Sequence, residues 1–442
     1  MDYPVWYVPF VTAPMLIPAV AIPHVIVAQF AVGGGFLLAD LVRRAYGTGN
    51  EALLACLRRL ARFFVLLTLV FGAVTGVGIW WTIGLTSPET TSALIHTFVF
   101  GWASEWVAFL VELAAAFAFY ALWDRLPPRQ HVAVGWVYAI AAWVSLVLIT
   151  GITAFMLTSG SWTPQRGFFT AFFNPSFVPQ VLLRSGGSLA LAALGIGLFV
   201  SLQALATAHK DLLIGWISRW ALLGMGLLLA GGVWYLLVMP EHATLNLLRA
   251  PMLLIMLLLN LAVTLAVIVA LAVGHAAGSA WLTPPSAFFL VLAGIVAITT
   301  GEFIREGARK PYRIENYILA PGVRVAEVPQ FHEQGFIART PWLRAYLQAR
   351  LPGFDPARLA ALPAPQQETV GEGIFRYHCA SCHALWGYNG MVPLVLPWTP
   401  ELVAHATQHL HLTNPAMPPW LGNEAERQAL TAYLVQLGRR GR

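Results

Sequence analysis

The sequence has little charge and almost no cysteine. Of its 442 residues only 10% are Asp, Glu, Lys or Arg and 58% are hydrophobic, with a mean hydropathy of +0.68. A soluble chain of this length has no use for that much apolar surface, so most of it is expected inside a membrane. The net charge is +6, but no long basic run exists. The arginines are scattered between apolar stretches, which argues against a nucleic-acid partner and fits arginine at membrane borders. No basic segment precedes the first apolar stretch, which is also too long for a cleaved leader. The three cysteines are Cys56, Cys379 and Cys382. They leave no second pair to complete a zinc cage. Cys56 falls in the first connection between apolar runs and is expected to be an incidental thiol.

What is present is more specific. Cys379-Ala380-Ser381-Cys382-His383 is two thiols separated by two residues and followed at once by a histidine. Such thiols can bond to the two vinyl groups of a haem while the histidine reaches the iron, the signature of one covalent haem c. A redox dithiol is the competing reading of the cysteine pair. Residues 365–378 read as a helix entering the motif, and 424–437 as a closing amphipathic helix. Between them Asn414-Pro415-Ala416-Met417-Pro418-Pro419 offers the Met417 sulfur as sixth ligand, against the commoner fate of a core methionine. His405, His409 and His411 compete for that role but read better as surface or pocket-edge polarity. In this order of elements the stretch 363–438 resembles small class I cytochromes c.

Apolar runs of roughly 20 residues, enough to cross a bilayer, occur near 15–42, 63–85, 98–122, 131–157, 186–207, 215–239, 250–273 and 285–304. The expected fold is therefore all-α: a polytopic bundle of about eight membrane helices followed by a small helical cytochrome c domain. The expected division is 1–304 for the bundle, 305–362 for a connector that docks or tethers the haem domain, and 363–442 for that domain. The first connection carries Arg43, Arg44, Arg58, Arg59 and Arg62, the third Arg125 and Arg129, and the fifth Lys210 and Arg219. The even connections carry almost none, apart from Arg166 and the border residues Arg184 and Arg249. Odd connections are then cytoplasmic. This puts the N-terminus and, after an even number of crossings, the haem motif on the periplasmic side of a bacterial inner membrane. Attachment of haem to CxxCH takes place on that same side. The cluster Arg305, Arg309, Lys310 and Arg313 runs against the charge rule, which suggests a structural or haem-propionate role for some of its members.

Ionisable groups inside apolar runs are expensive and mark function. His24 in the first run is open between an iron ligand and a satisfied core histidine, with Gly33 to Gly35 further along allowing close helix approach. Glu105 and Glu112 on the third run are seven residues apart and share a helical face. They suit a proton relay, or else anchor a neighbouring helix. Glu302-Phe303-Ile304-Arg305-Glu306 read alone is no more than a charged helix end.

Taken together these residues resemble a known family. His24 before Phe36-Leu37-Leu38-Ala39, the run Gly72-Ala73-Val74-Thr75-Gly76, Glu112 before Trp123-Asp124-Arg125-Leu126, Gln130-His131, and Glu306-Gly307-Ala308-Arg309-Lys310-Pro311-Tyr312 occur in the order seen in subunit I of cytochrome bd-type oxidases. The likeness spans about 10–315. It implies two high-spin haems near the outer side, haem b with haem b or d in the second pocket. His24 looks like the ligand of one and Glu306 like the carboxylate ligand of the other. Glu105 and Glu112 look like acidic residues lining proton access, and Arg309 falls where the family has an arginine close to the haems. A similar second subunit is the implied membrane partner.

The departures bear on function. The family's low-spin haem takes a histidine at the start of the fifth span and a methionine on the seventh. Here Arg184 or Ser185 stands at the first position and Pro251 at the second, with Met252 one residue late, so that haem is in doubt. His96, His242 or Met252 are the residues left to rescue it. The quinol-binding loop is reduced to about 240–249, and the cytochrome c segment takes the place of the family's ninth span. The expected function is an oxidoreductase that takes electrons from a periplasmic donor through its c haem and reduces oxygen or another small oxidant. The alternative is a non-catalytic electron-transfer or anchor subunit of a larger redox complex.

Overall fold

Eight helices carry the apolar runs in the computed structural model, which describes residues 4–277 and 279–440. Among the described residues, those long and apolar enough to cross a membrane are Ala13–Thr48, Glu51–Thr86, Val99–Ala121, Pro128–Ala154, Phe177–Ser201, Thr207–Leu237, Pro251–Gly274 and Pro284–Ala308. Several begin well before their apolar core, and the second shows why. Asn50 caps it by accepting from the Leu53 N–H at 3.1 Å, and Glu51 sits favourably in its first turn. Glu51–Val65 is amphipathic, with Leu53, Cys56, Leu57, Leu60, Ala61 and Phe64 buried at helical spacing. Cys56 is thus not a loop thiol: it lies on a helix, at 0% exposure, in the main hydrophobic cluster. The same helix then passes through a π-helical stretch, Leu66–Gly72, before resuming as Ala73–Thr86.

The chain folds as two compact units. One consists of Ala21–Gly78 with Ile95–Glu306, and the other of the residues up to Val20, Ile79–Leu94 and those from Gly307 onward. In the first unit small residues let backbones touch. A Cβ added at Gly33 would collide with the Ser188 carbonyl, and one added at Gly186 with the backbone of Leu228 and Gly224. The first span therefore packs directly on the fifth, and the fifth on the sixth, as small-residue contacts allow in membranes.

In the second unit the stretch after the last span is ordered. A hairpin pairs Tyr312–Ile314 with Ile318–Leu319, and helices Val328–Gln334 and Pro341–Arg350 follow. Leu319, Phe331, Phe336, Leu343 and Leu347 share one hydrophobic cluster with Val370, Phe375, Leu430 and Tyr433. The N-terminal segment joins the same unit: Trp386 N–H donates to the Pro9 carbonyl at 2.8 Å and Trp6 N–H to the Leu85 carbonyl at 2.9 Å. Arg324 pairs with Glu89 at 2.6 Å. The start of the first span, the end of the second and the end of the eighth are thus represented in this one unit.

Glu426 ties the cytochrome-like helices to the stretch before them. It is 1% exposed and accepts from the backbone N–H groups of Phe336 and Ile337, each at 2.8 Å, and of Asn423 at 3.3 Å. Burial raises its carboxyl above the ordinary value, against the pull of these bonds. Glu426→Ala leaves two buried donors unpaired, at about 1–3 kcal/mol each. We expect a loss of ~3 kcal/mol in unfolding free energy, read as a lower denaturant midpoint for this unit, with Glu426→Gln losing less than half as much.

Candidate haem sites

The C-terminal site is built on a helix that changes pitch. Ala364–Ile374 is α-helical and Phe375–Cys379 π-helical, and His383 N–H then closes back to the Cys379 carbonyl at 2.8 Å. Nδ1 of His383 lies 3.1 Å from the carbonyl oxygen of Asn389. A carbonyl only accepts, so Nδ1 carries the proton and Nε2 keeps the lone pair an iron needs. Asn389 takes a left-handed conformation, φ 55°, and its side-chain amide donates to the Cys382 carbonyl at 2.8 Å. One residue thus orients the histidine and fixes the loop that bears it.

The donor set fits a covalent haem better than a redox dithiol. Burial pushes the Cys379 thiol up to about 12, with Cys382 adding to the shift, whereas a reactive dithiol needs a lowered one. Thioether bonds remove that proton altogether. Burial also lowers the His383 imidazole, opposed by its bond to Asn389, and takes His378 down to about 4. His378 Nδ1 is buried with no hydrogen-bond partner among the described residues. Met417 is half-buried in a loop tied by Asn414, whose side chain accepts from Ala416 N–H at 3.0 Å and whose carbonyl accepts from Met417 N–H at 2.9 Å. His405 and His411 are exposed, and His409 is half-buried with its ring 4.7 Å from that of His405.

His24 is held in the same manner. Its Nδ1 lies 3.1 Å from the Gly72 carbonyl, at the end of the π-helical stretch, and 3.1 Å from the Thr75 hydroxyl. Thr75 in turn donates to the Phe71 carbonyl at 2.7 Å. Nδ1 therefore carries the proton, and Nε2 is the nitrogen offered to an iron. Gly76 packs against the ring, where an added Cβ would stand 3.1 Å from Cε1. Of the motif Gly72-Ala73-Val74-Thr75-Gly76, three residues thus shape the histidine's surroundings.

On the third span Glu105 accepts from the Ser145 hydroxyl at 2.8 Å, and Glu112 lies within the field of Glu105 and in hydrogen-bonding reach of Tyr138. The Tyr138 hydroxyl is also 3.1 Å from the Ala31 carbonyl. On the eighth span Glu302 pairs with Arg305 at 2.8 Å, Arg184 of the fifth span is a further cation near Glu302, and Glu306 lies within the field of Glu302 and Arg305. Arg309 is 4% exposed. Sequence reasoning missed Ser145 and Tyr138, which carried no pattern, and Asn389, which did: Asn389-Gly390 is a turn dipeptide.

At the positions implied for a low-spin haem, Arg184 and Ser185 make other contacts. Arg184 belongs to the Glu302 cluster, Ser185 accepts from the Trp143 indole at 3.0 Å, and Met252 is 48% exposed. His96 is exposed.

Fold and sites together define a multi-pass helical membrane protein equipped for haem. Residues 15–254 match the family of cytochrome bd terminal oxidase subunit I, and the chain belongs to that family. Residues 366–434 match cytochrome C oxidase, cbb3-type, subunit III. Among solved structures, the bd oxidase from Geobacillus thermodenitrificans is similar in fold, with a TM-score of 0.60 and 18% identity, covering 68% of this chain and 87% of that one. No curated protein matches. Family and fold support a haem-binding membrane oxidoreductase.

Proposed function

We propose that this chain is the catalytic subunit of a terminal oxidase fed from outside the membrane, in which a soluble donor delivers electrons to the C-terminal domain and oxygen or another small oxidant is reduced in the bundle. With oxygen the balance is four electrons and four protons per molecule, giving two waters. The observation that carries the reading is a bond common to His24 and His383: each imidazole has its Nδ1 proton directed at a backbone carbonyl, the arrangement that sets Nε2 for a metal. Bound haems, one of c type and two high-spin of b or d type, supply the electron-carrying and oxidant-binding iron.

The residues divide the remaining work. Cys379 and Cys382 tether, and His383 and Met417 ligate, in a domain we assign to 363–442. His24 ligates in a bundle assigned to 1–304 and Glu306 just past its end, beside the Arg305–Glu302 pair, with Arg309 assigned to the surroundings of the haems, and 305–362 connects the bundle to the haem domain. Glu105 and Glu112 hold and pass protons. Ser145 orients the first carboxyl, and Tyr138 offers its hydroxyl to the second. With Arg184 and Ser185 in other contacts and Met252 half exposed, no third haem is assigned. The N-terminus and haem domain face the periplasm, and a second subunit of the same family completes the complex.

A reduced-minus-oxidised spectrum with and without carbon monoxide tests this. We expect one c haem, a high-spin haem that binds carbon monoxide, and oxygen uptake with a reduced soluble cytochrome c. A preparation holding only six-coordinate haems sinks the proposal. If such a preparation also copurifies with a redox enzyme, the chain is a non-catalytic electron-transfer subunit.

A further inference from the structure

Among the described residues Arg313 is the largest side chain with less than 2% exposure; at 1% it is fully enclosed. It is the middle residue of strand Tyr312–Ile314, just past the last span. Its Nε donates to the Ala320 carbonyl at 3.4 Å, across the hairpin, and a terminal nitrogen donates to the Ser381 carbonyl at 3.3 Å. Ser381 lies between the two cysteines, and its hydroxyl turns inward to the His378 carbonyl at 3.3 Å. With Asn389 bonded to the Cys382 carbonyl at 2.8 Å, two successive carbonyls of the attachment loop are held by side chains from different segments.

A guanidinium does not lose its proton inside a protein, and burying one is costly unless it is well bonded. An uncharged side chain could fill the same volume without that cost. We propose that Arg313 raises the reduction potential of the haem tethered by Cys379 and Cys382, by keeping a permanent positive charge against the backbone of the attachment loop. A fixed cation favours the form that has gained an electron, and hydrogen bonds and charges around a haem are the levers a protein has on its potential. Arg313 is a positioning residue in this role and also ties the loop to the stretch that leaves the membrane. The inference rests on the C-terminal site carrying a haem c.

The test uses the full chain in detergent, comparing wild type with Arg313→Gln, Arg313→Met and Arg313→Lys. Covalent haem is measured first by pyridine haemochrome. If the wild type carries none, the haem reading fails and this inference with it. Spectroelectrochemical titration of the c-haem band is the second readout. We expect Arg313→Gln and Arg313→Met to retain covalent haem while the reduced-to-oxidised ratio at fixed potential falls about tenfold, equivalent to ~59 mV for one electron. Arg313→Lys should recover at least half of that shift. An unchanged potential in the neutral variants, or a lysine variant as low as they are, overturns the proposal. Failure of both neutral variants to accumulate with covalent haem assigns Arg313 to folding alone and also overturns it.

Discussion

Replacing Cys379 and Cys382 together by alanine will leave the bundle's haems in place and stop turnover with an external donor. The two thiols are the proposed attachment points of the C-terminal site, and the geometry around them is fixed from outside the pair: His383 by Asn389, the loop carbonyls by Arg313 and Asn389. Removing the thiols therefore removes the tether while leaving its supports. The hydrophobic cluster that carries the loop includes Phe336, Phe375, Leu430 and Tyr433, none of which the substitutions touch. We expect no covalent haem by pyridine haemochrome, non-covalent haem unchanged per chain, and oxygen uptake with reduced soluble cytochrome c lower by at least ~100-fold. An artificial reductant able to reach the bundle directly should restore part of the activity. Unimpaired turnover with the soluble donor would refute electron entry at this domain.

How much of this was legible in the sequence depended on how local each cause was. The CxxCH motif is contiguous, so it could be read without a fold. The eight spans follow from composition over windows of bilayer length. Their starts were less legible, because helices continue past the apolar core wherever one face still packs. Glu51–Val65 carries Arg58, Arg59 and Arg62 and reads as a polar connection, yet every third or fourth residue is apolar and buried, and so Cys56 lies in a core. The stretch after the last span was harder still. Its helices are short, and their apolar residues find partners only in the cytochrome-like segment, so no window of sequence contains the pattern. Arg313 shows the limit. Beside Arg309 and Lys310 it reads as one more border cation, and only the fold shows it enclosed and bonded to Ser381, far along the chain. His24 is intermediate: its lone position in an apolar run marked it, but its carbonyl partner comes from a π-helical stretch on another span, a pitch that the sequence does not announce.

That partner makes the second large prediction specific. His24→Gly removes the imidazole and leaves the Gly72 carbonyl, Thr75 and Gly76 lining the space it filled. If His24 is an iron ligand, the lost group is a single imidazole, and free imidazole of the same shape can bind where the side chain stood. We expect His24→Gly to lose about one non-covalent haem per chain or its high-spin, carbon monoxide-binding signature, and to lose oxygen uptake by ~100-fold, with imidazole in the buffer restoring a measurable fraction of both. Glu306→Ala is expected to abolish oxygen uptake as well, but imidazole should not restore it, because the group removed there is an anion beside Glu302 and Arg305. The c haem should be unchanged in either variant, which separates ligand loss from misfolding. A His24→Gly protein with full haem content and normal carbon monoxide binding would return His24 to the role of a core histidine hydrogen-bonded to Gly72 and nothing more.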